Sequence, residues 1–295
     1  MTPPDTPPSD MPRVDESLPA RIAQAILTAS RDGPPLVSCS VIAAPEALGV
    51  AAAIGDKLLV FHDGATLGEI ASGALAAAIR HEALAAIPRH AVETAAFTPA
   101  GDRIDGRRAI EAAGDVIEVL MEVVEPAATL LVVGGGHVGR SVGEIGALLG
   151  MSVVVLDDRE DYANTDRFPF ADQVICGDFA SELDAFPINA NTYIVLVSRG
   201  HKVDELSLAR VVTRGPAYVG MIGSKRRTRT VLEHLATDGI RADALARVFT
   251  PIGLDIRAET PEEIALAVLA EIVLVRRGGS GRPLSPPGQA LSGDI

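Results

Sequence analysis

Apolar residues recur along this chain in two different rhythms. In the first half Ile22, Ala25, Ile26 and Ala29 fall at helical spacing, and Asp32-Gly33 ends that helix. Strand-like runs follow at Leu36–Ala43, Val50–Ile54 and Leu58–Phe61, with Gly55-Asp56 placed as a two-residue hairpin turn between the last two. His62-Asp63-Gly64 closes the third run, Ala71–Ala86 reads as an alanine-rich helix, and Asp115–Val124 alternates as one more strand. These elements predict a small α+β domain.

After Glu125 the rhythm changes. Thr129–Val133, Ser152–Leu156, Gln173–Cys176, Tyr193–Val197 and Ala217–Met221 are short, continuously apolar runs, the pattern of strands buried on both faces. Amphipathic stretches separate several of them, such as Val138, Val142, Ile145, Leu148 and Leu149. Strands alternating with helices predict an α/β domain with a Rossmann-like, doubly wound parallel sheet.

Composition sets the boundaries. Residues 1–19 hold six prolines and residues 276–295 are rich in Gly, Pro and Ser, so both read as disordered tails around domains spanning 20–125 and 126–275. The net charge of −13 disfavours general nucleic-acid binding, in which cations must neutralise phosphates. Cys39 and Cys176 are too far apart in sequence for a CxxC motif and suit a reducing compartment. No apolar run is long enough to span a membrane, and the N-terminus lacks the pattern of a signal peptide. The expectation is a cytoplasmic protein that binds neither nucleic acid nor membrane. Homo-oligomerisation stays open.

The chemistry concentrates in the second half. LLVVGGGHVGR places Gly134, Gly136 and Gly139 as G-x-G-x-x-G between a strand and a helix, with His137 inside the loop. Such glycines permit a tight turn, a close approach to pyrophosphate and close helix–sheet packing, while the helix N-terminus attracts phosphate. Asp157 ends the next strand at the offset of an acid that grips a ribose hydroxyl, and Arg159 follows closely. A Rossmann-shaped domain whose loop binds nothing is the plainer alternative.

Three further segments lie where strands should end. Ser198-Arg199-Gly200-His201 offers an anion clamp and a proton carrier, unless it merely starts a helix. Gly223, Ser224 and Lys225 open a segment, GSKRRTR, whose cations crowd a helix N-terminus; it is either an anion site or a solvated face. Pro251–Asp255 forms a loop in which Asp255 is the side chain with chemical options, ahead of a Thr260-Pro261-Glu263 capping box. Neither metal-binding histidine motifs nor a G-x-S-x-G elbow is present, so no metal ligand or catalytic residue is assigned.

Residues 130–275 closely resemble the C-terminal Rossmann domain of the XdhC/CoxI family, through GGGHVG, LDDRE, SRGHKVDEL, YVGMIGSKRR, PIGLDI and AETPEEIALAVLAEI. The first half, through LGVAAAIGDKLLVFHDGATLGEIASGAL, is loosely similar to that family's N-terminal domain. The family's usual Cys-Gly-Gly reads Ala112-Ala113-Gly114, and Arg257 stands where glycine is usual. The resemblance implies a maturation factor, more a chaperone than a turnover enzyme, serving a molybdenum hydroxylase of the xanthine or carbon monoxide dehydrogenase type. It further implies molybdenum cofactor as ligand, as molybdopterin or its cytidine dinucleotide form, with an apo-hydroxylase and a cysteine desulfurase as partners. The glycine loop alone fits NAD equally. An NAD-dependent oxidoreductase and a nucleotide-sensing regulatory module therefore remain the alternatives.

Overall fold

The computed structural model describes residues 17–45, 52–71, 73–90 and 92–285. Contacts divide the chain after Pro126 into two units.

The first unit runs α1 (Leu18–Arg31), β1 (Leu36–Ala43), β2 (Lys57–Phe61), β3 (Thr66–Gly68), α2 (Gly73–Ala86), β4 (Val92–Phe97), β5 (Arg103–Ile104), α3 (Arg107–Ala113) and β6 (Ile117–Val124). The strands among its described residues pair antiparallel in the order β3-β2-β1-β6-β4-β5. The two-residue period of β1 divides its side chains between two cores. Val37, Cys39 and Val41 pack with Leu75, Ile79 and Ala83 of α2, whereas Leu36 joins Leu59 and Ala29 of α1.

Three sequence expectations need correction here. Residues 52–54 are not a strand, and Val50 and Ala51 lie outside the described residues. The Asp56 carboxylate instead accepts the Ala53 N–H, and Gly55 N–H and Asp56 C=O bond back to Val41, so the partner of β2 is β1. Residues 18 and 19, assigned above to a tail, belong to a helix, because α1 begins at Leu18 with Pro19 in its first turn, where a missing N–H costs nothing. Residues 1–16 lie outside the described residues. At the other end the last helix continues to Arg277, Gly278 caps it in the left-handed conformation, residues 278–285 are exposed, and 286–295 are not described.

The second unit runs β7 (Thr129–Val133), α4 (His137–Leu148), β8 (Ser152–Asp157), β9 (Gln173–Cys176), α5 (Phe179–Ala185), β10 (Thr192–Leu196), α6 (His201–Val211), β11 (Tyr218–Met221), α7 (Lys225–Thr237), α8 (Ala242–Leu245), β12 (Val248–Phe249) and α9 (Pro261–Arg277). The strands are parallel and ordered β12-β11-β10-β7-β8-β9, which is the doubly wound Rossmann order. Leu131, Val133, Ile194 and Leu196 face a core shared with α5, α6 and α7; Leu130, Val132, Tyr193 and Val195 face one shared with α4 and α9. Covering both faces requires the continuous apolar runs seen in the sequence. The apolar stripe assigned to α4 ends sooner than expected, since Leu148 is 82% exposed and Leu149 is exposed as well.

Candidate functional site

The strand order reverses direction between β7 and β10, and ligands of open α/β sheets bind outside the carboxyl ends of the strands at such a point. The glycine loop leaves β7 there. Gly134 has φ +117°, and a Cβ on it would lie 2.6 Å from the Val197 carbonyl, so this loop and the one after β10 abut. On Gly139 a Cβ would fall 1.8 Å from the Gly134 carbonyl, which fixes the depth at which α4 enters. At Gly136 a Cβ would meet nothing within 4 Å. The backbone is thus bare where α4 begins, its N-cap carries no side-chain hydrogen bond, and His137 opens the helix exposed.

Asp157 ends β8 as expected, but its surroundings differ from those of a free ribose acid. Its carboxylate accepts Gly135 N–H at 2.9 Å, Arg159 N–H at 3.1 Å, and Arg159 Nε and Nη2 at 2.9 and 3.0 Å, with 2% of the side chain exposed. Burial pushes its pKa up; the Arg159 hydrogen bonds and the Gly135 N–H outweigh that and hold it below the usual carboxylate range. A ribose hydroxyl would have to compete with all four donors.

Sequence reading missed the rest of this corner. The Arg159 guanidinium lies 3.6 Å from the Tyr162 ring centroid. The Tyr162 carbonyl sits 1.9 Å from where a Cβ on Gly135 would stand. Arg167 donates from Nε to the Gly135 carbonyl, and its Nη2 is buried without a hydrogen-bond partner. Asp158 carries the exposed Arg199 guanidinium at 3.2 Å. The doubled acid in LDDRE was the available signal for Asp158. Nothing local marks Tyr162 or Arg167, which reach the loop only through the fold.

The remaining candidates lie at neighbouring strand ends. Ser198 N–H and Oγ both donate to buried Asp204, at 3.2 and 2.6 Å, which holds the turn carrying Arg199. His201 is the first residue of α6, and its side chain lies outside the described set. Gly223 takes φ +152° after β11, and Ser224 caps α7 by accepting the Arg227 N–H. Lys225, Arg226 and Arg227 are exposed, and no carboxylate among the described residues pairs with them. Arg226, Arg227, Thr230 and His234 line a concavity with Glu205.

The Pro251–Asp255 loop does return to the sheet edge, since Ile252 N–H donates to the Met221 carbonyl. It is tied there by Glu271, which accepts both the Tyr218 hydroxyl at 2.6 Å and Gly253 N–H at 3.0 Å. Asp255 itself is exposed. The capping box at Thr260 and Glu263 forms in full. Cys39 is buried and Cys176 exposed at the end of β9, and Asp178 caps α5 by accepting from Ser181 N–H and Oγ. Among the described residues no three His, Cys, Asp or Glu side chains gather as a metal site, and no helix is long and apolar enough to cross a membrane.

Comparison with known proteins agrees with this geometry. The chain is 27% identical over 256 residues to a protein of Escherichia coli K12 named uncharacterized protein YqeB, covering 81% of this chain and 45% of that one. It is 30% identical over 162 residues to a Bacillus subtilis 168 protein described as a probable xanthine dehydrogenase subunit, covering 54% and 46%. The chain thus spans less than half the length of these curated relatives. The crystal structure of a protein described as a xanthine dehydrogenase from Bacillus halodurans shares the fold, with a TM-score of 0.59 at 20% identity over 88% of this chain and 66% of that one. The model of the XdhC Rossmann domain matches residues 130–272, and that part of the chain is an XdhC Rossmann domain.

Proposed function

We propose that this protein holds the phosphate end of molybdenum cofactor and assists its modification or insertion into a molybdenum hydroxylase. The observation that carries the proposal is the bare backbone at Gly136, set against the uncapped N-terminus of α4 at the point where the sheet reverses. Helix N–H groups and the helix dipole favour phosphate at such a place. The buried, unpartnered Nη2 of Arg167 beside the same loop adds a donor suited to an anion. Molybdopterin carries one phosphate and its cytidine dinucleotide form a pyrophosphate, so the residues present fit that end of the group. Gly134, Gly136 and Gly139 would receive it, with Arg199 and Lys225 as flanking cations.

When bound, the cofactor supplies a molybdenum centre whose terminal sulfur is needed by the hydroxylase. This chain's own residues bind and orient its phosphate end. The name of the Bacillus subtilis relative supports a xanthine dehydrogenase as the enzyme served. An apo-hydroxylase is accordingly the proposed partner, with a cysteine desulfurase as the source of sulfur. The doubly wound strand order favours NAD as the second reading, because the same crevice receives its pyrophosphate in dehydrogenases.

Purification from a molybdenum-replete host, followed by mass spectrometry of the released small molecules, separates the two readings. A pterin or pterin–cytidine species is the expected result. Stoichiometric NAD without any pterin would overturn the proposal in favour of the second reading.

A further inference from the structure

We propose that the outer face of α4 and α9 is the interface of a two-fold homodimer, in which α9 packs antiparallel against α9 of a second copy of this chain.

α9 presents two faces. Ala265, Val268, Leu269 and Ile272 are buried in the core beneath it. Turned away from them, Glu262, Leu266, Ala270, Val273 and Arg277 follow one another at helical spacing. At the centre of this stripe Leu266 is 53% exposed and Val273 41%. Its two ends, Glu262 and Arg277, are exposed charges of opposite sign.

The stripe has the symmetry that a two-fold axis requires. Such an interface uses the same patch on both copies, so the patch must complement itself. Leu266 and Val273 stand equally far from the point between Leu269 and Ala270, and so do Glu262 and Arg277. Reversing a second α9 about that point sets Leu266 against Val273 of the other copy and Glu262 against its Arg277, each twice. Ala270, small and half-buried beside the axis, lets the helices approach. A parallel pairing would set Glu262 against Glu262 and Arg277 against Arg277, which charge disfavours. The helix dipole accounts for an acidic start and a basic end, but not for the exposed leucine and valine between them.

α4 reaches the same centre. Both helices start at the carboxyl edge of the sheet, α4 after β7 and α9 after the loop that Met221 holds. Ser141 Oγ donates to Glu262 Oε1 at 3.4 Å, so these two positions stand level. Each helix rises about 1.5 Å per residue, which brings Leu148 and Leu149 level with the point between Leu269 and Ala270. Both leucines are exposed. The axis therefore gathers Leu148 and Leu149 of both copies beside Leu266 and Val273, an apolar centre with charges at its rim. It passes the C-terminal end of α4, and the glycine loop at the other end stays open in both copies.

The test is sedimentation velocity of the full chain over a range of concentrations, with circular dichroism as the check on folding. Wild type is expected to form a reversible dimer. The double variant Leu266→Asp, Val273→Asp buries unpaired charge at the axis and should weaken association by at least about tenfold. Leu148→Asp, on the other helix, should weaken it as well. Glu262→Arg alone and Arg277→Glu alone each bring like charges together and should weaken the dimer. An equimolar mixture of those two variants should associate as a heterodimer, because both charge pairs are restored. Within one chain the two positions lie about 22 Å apart along the helix, so rescue on mixing has to come from the second copy. A wild type that is monomeric throughout, a dimer untouched by the aspartate variants, or a mixture no more associated than its components overturns the inference.

Discussion

Asp157 accepts the backbone N–H of Gly135 at 2.9 Å, so the acid at the end of β8 is a strut for the glycine loop at the end of β7. Removing it should loosen the loop and strand Arg159. Asp157→Ala is expected to lower stability by about 3 kcal/mol, in the range for breaking one side of a buried pair. Because its folded pKa lies below the unfolded value, the carboxylate stabilises the fold above about pH 4, and that contribution is lost as pH falls further. Denaturant melts of wild type and variant across pH 2–7 check both points, and the gap between them should close towards the acid end.

Gly136 and Gly139 should respond oppositely to substitution. Gly136 has φ −64° and open space around it, so Gly136→Val should fold normally and fail to bind pyrophosphate. Gly139→Ala forces a methyl group onto the Gly134 carbonyl and should destabilise the whole unit. Thermal unfolding beside calorimetry separates the two effects. Normal binding by a folded Gly136→Val would remove the phosphate site from the loop.

The basic run after β11 should act through charge. Arg226 and Arg227 are exposed and have no carboxylate partner among the described residues, so an acidic partner or anionic ligand meets them at little cost. If the proposed apo-hydroxylase is the partner, the double variant Arg226→Glu, Arg227→Glu should weaken its capture at least tenfold, and raised salt should weaken the wild-type complex. Surface plasmon resonance at two ionic strengths tests this. Indifference to both changes would mark the segment as a solvated helix face.

The two cysteines should differ in reach. Burial pushes the Cys39 thiol from its ordinary 9.0 up to about 12, against a smaller opposing pull from Lys57, while Cys176 is exposed. A disulfide reagent at pH 8 should titrate one thiol in the native protein and two in denaturant. Above pH 9 the unfolded chain releases the Cys39 proton and the folded chain keeps it, so stability should fall through that range, and less steeply in Cys39→Ala. If the protein serves the proposed hydroxylase and sulfur reaches the cofactor directly from a desulfurase, the Cys39→Ala, Cys176→Ala double variant should still support maturation of that enzyme.

Arg257 holds φ +58°, a conformation that costs a side chain about 1–2 kcal/mol. Arg257→Gly should therefore be neutral or stabilising by up to about 1 kcal/mol, since glycine returns part of the gain as unfolded-state entropy. Arg257→Val should destabilise. Chemical denaturation of the three proteins orders them.

What could be read from residues alone was set by local rules. Burial on both faces demands unbroken apolar runs, so β7 to β11 stand within a residue or two of their sequence positions. Ser224, Thr260 and Glu263 cap helices because hydroxyl and carboxylate groups satisfy free N–H groups a few residues away. The glycine spacing announced the loop for the same reason.

Tertiary structure decided what depends on distant partners. Strand β4, Val-Glu-Thr-Ala-Ala-Phe, has no strong alternation and forms because β6 pairs along its length, and the short strands β3 and β5 exist only beside β2 and β4. The acid at the end of β8 could be placed from sequence, but not which of two adjacent aspartates faces outward. That was fixed by Gly135 and Arg159 saturating Asp157 and by Arg199, from two strands away, meeting Asp158. Period and spacing are properties of neighbouring residues; the partner of a carboxylate is a property of the folded chain.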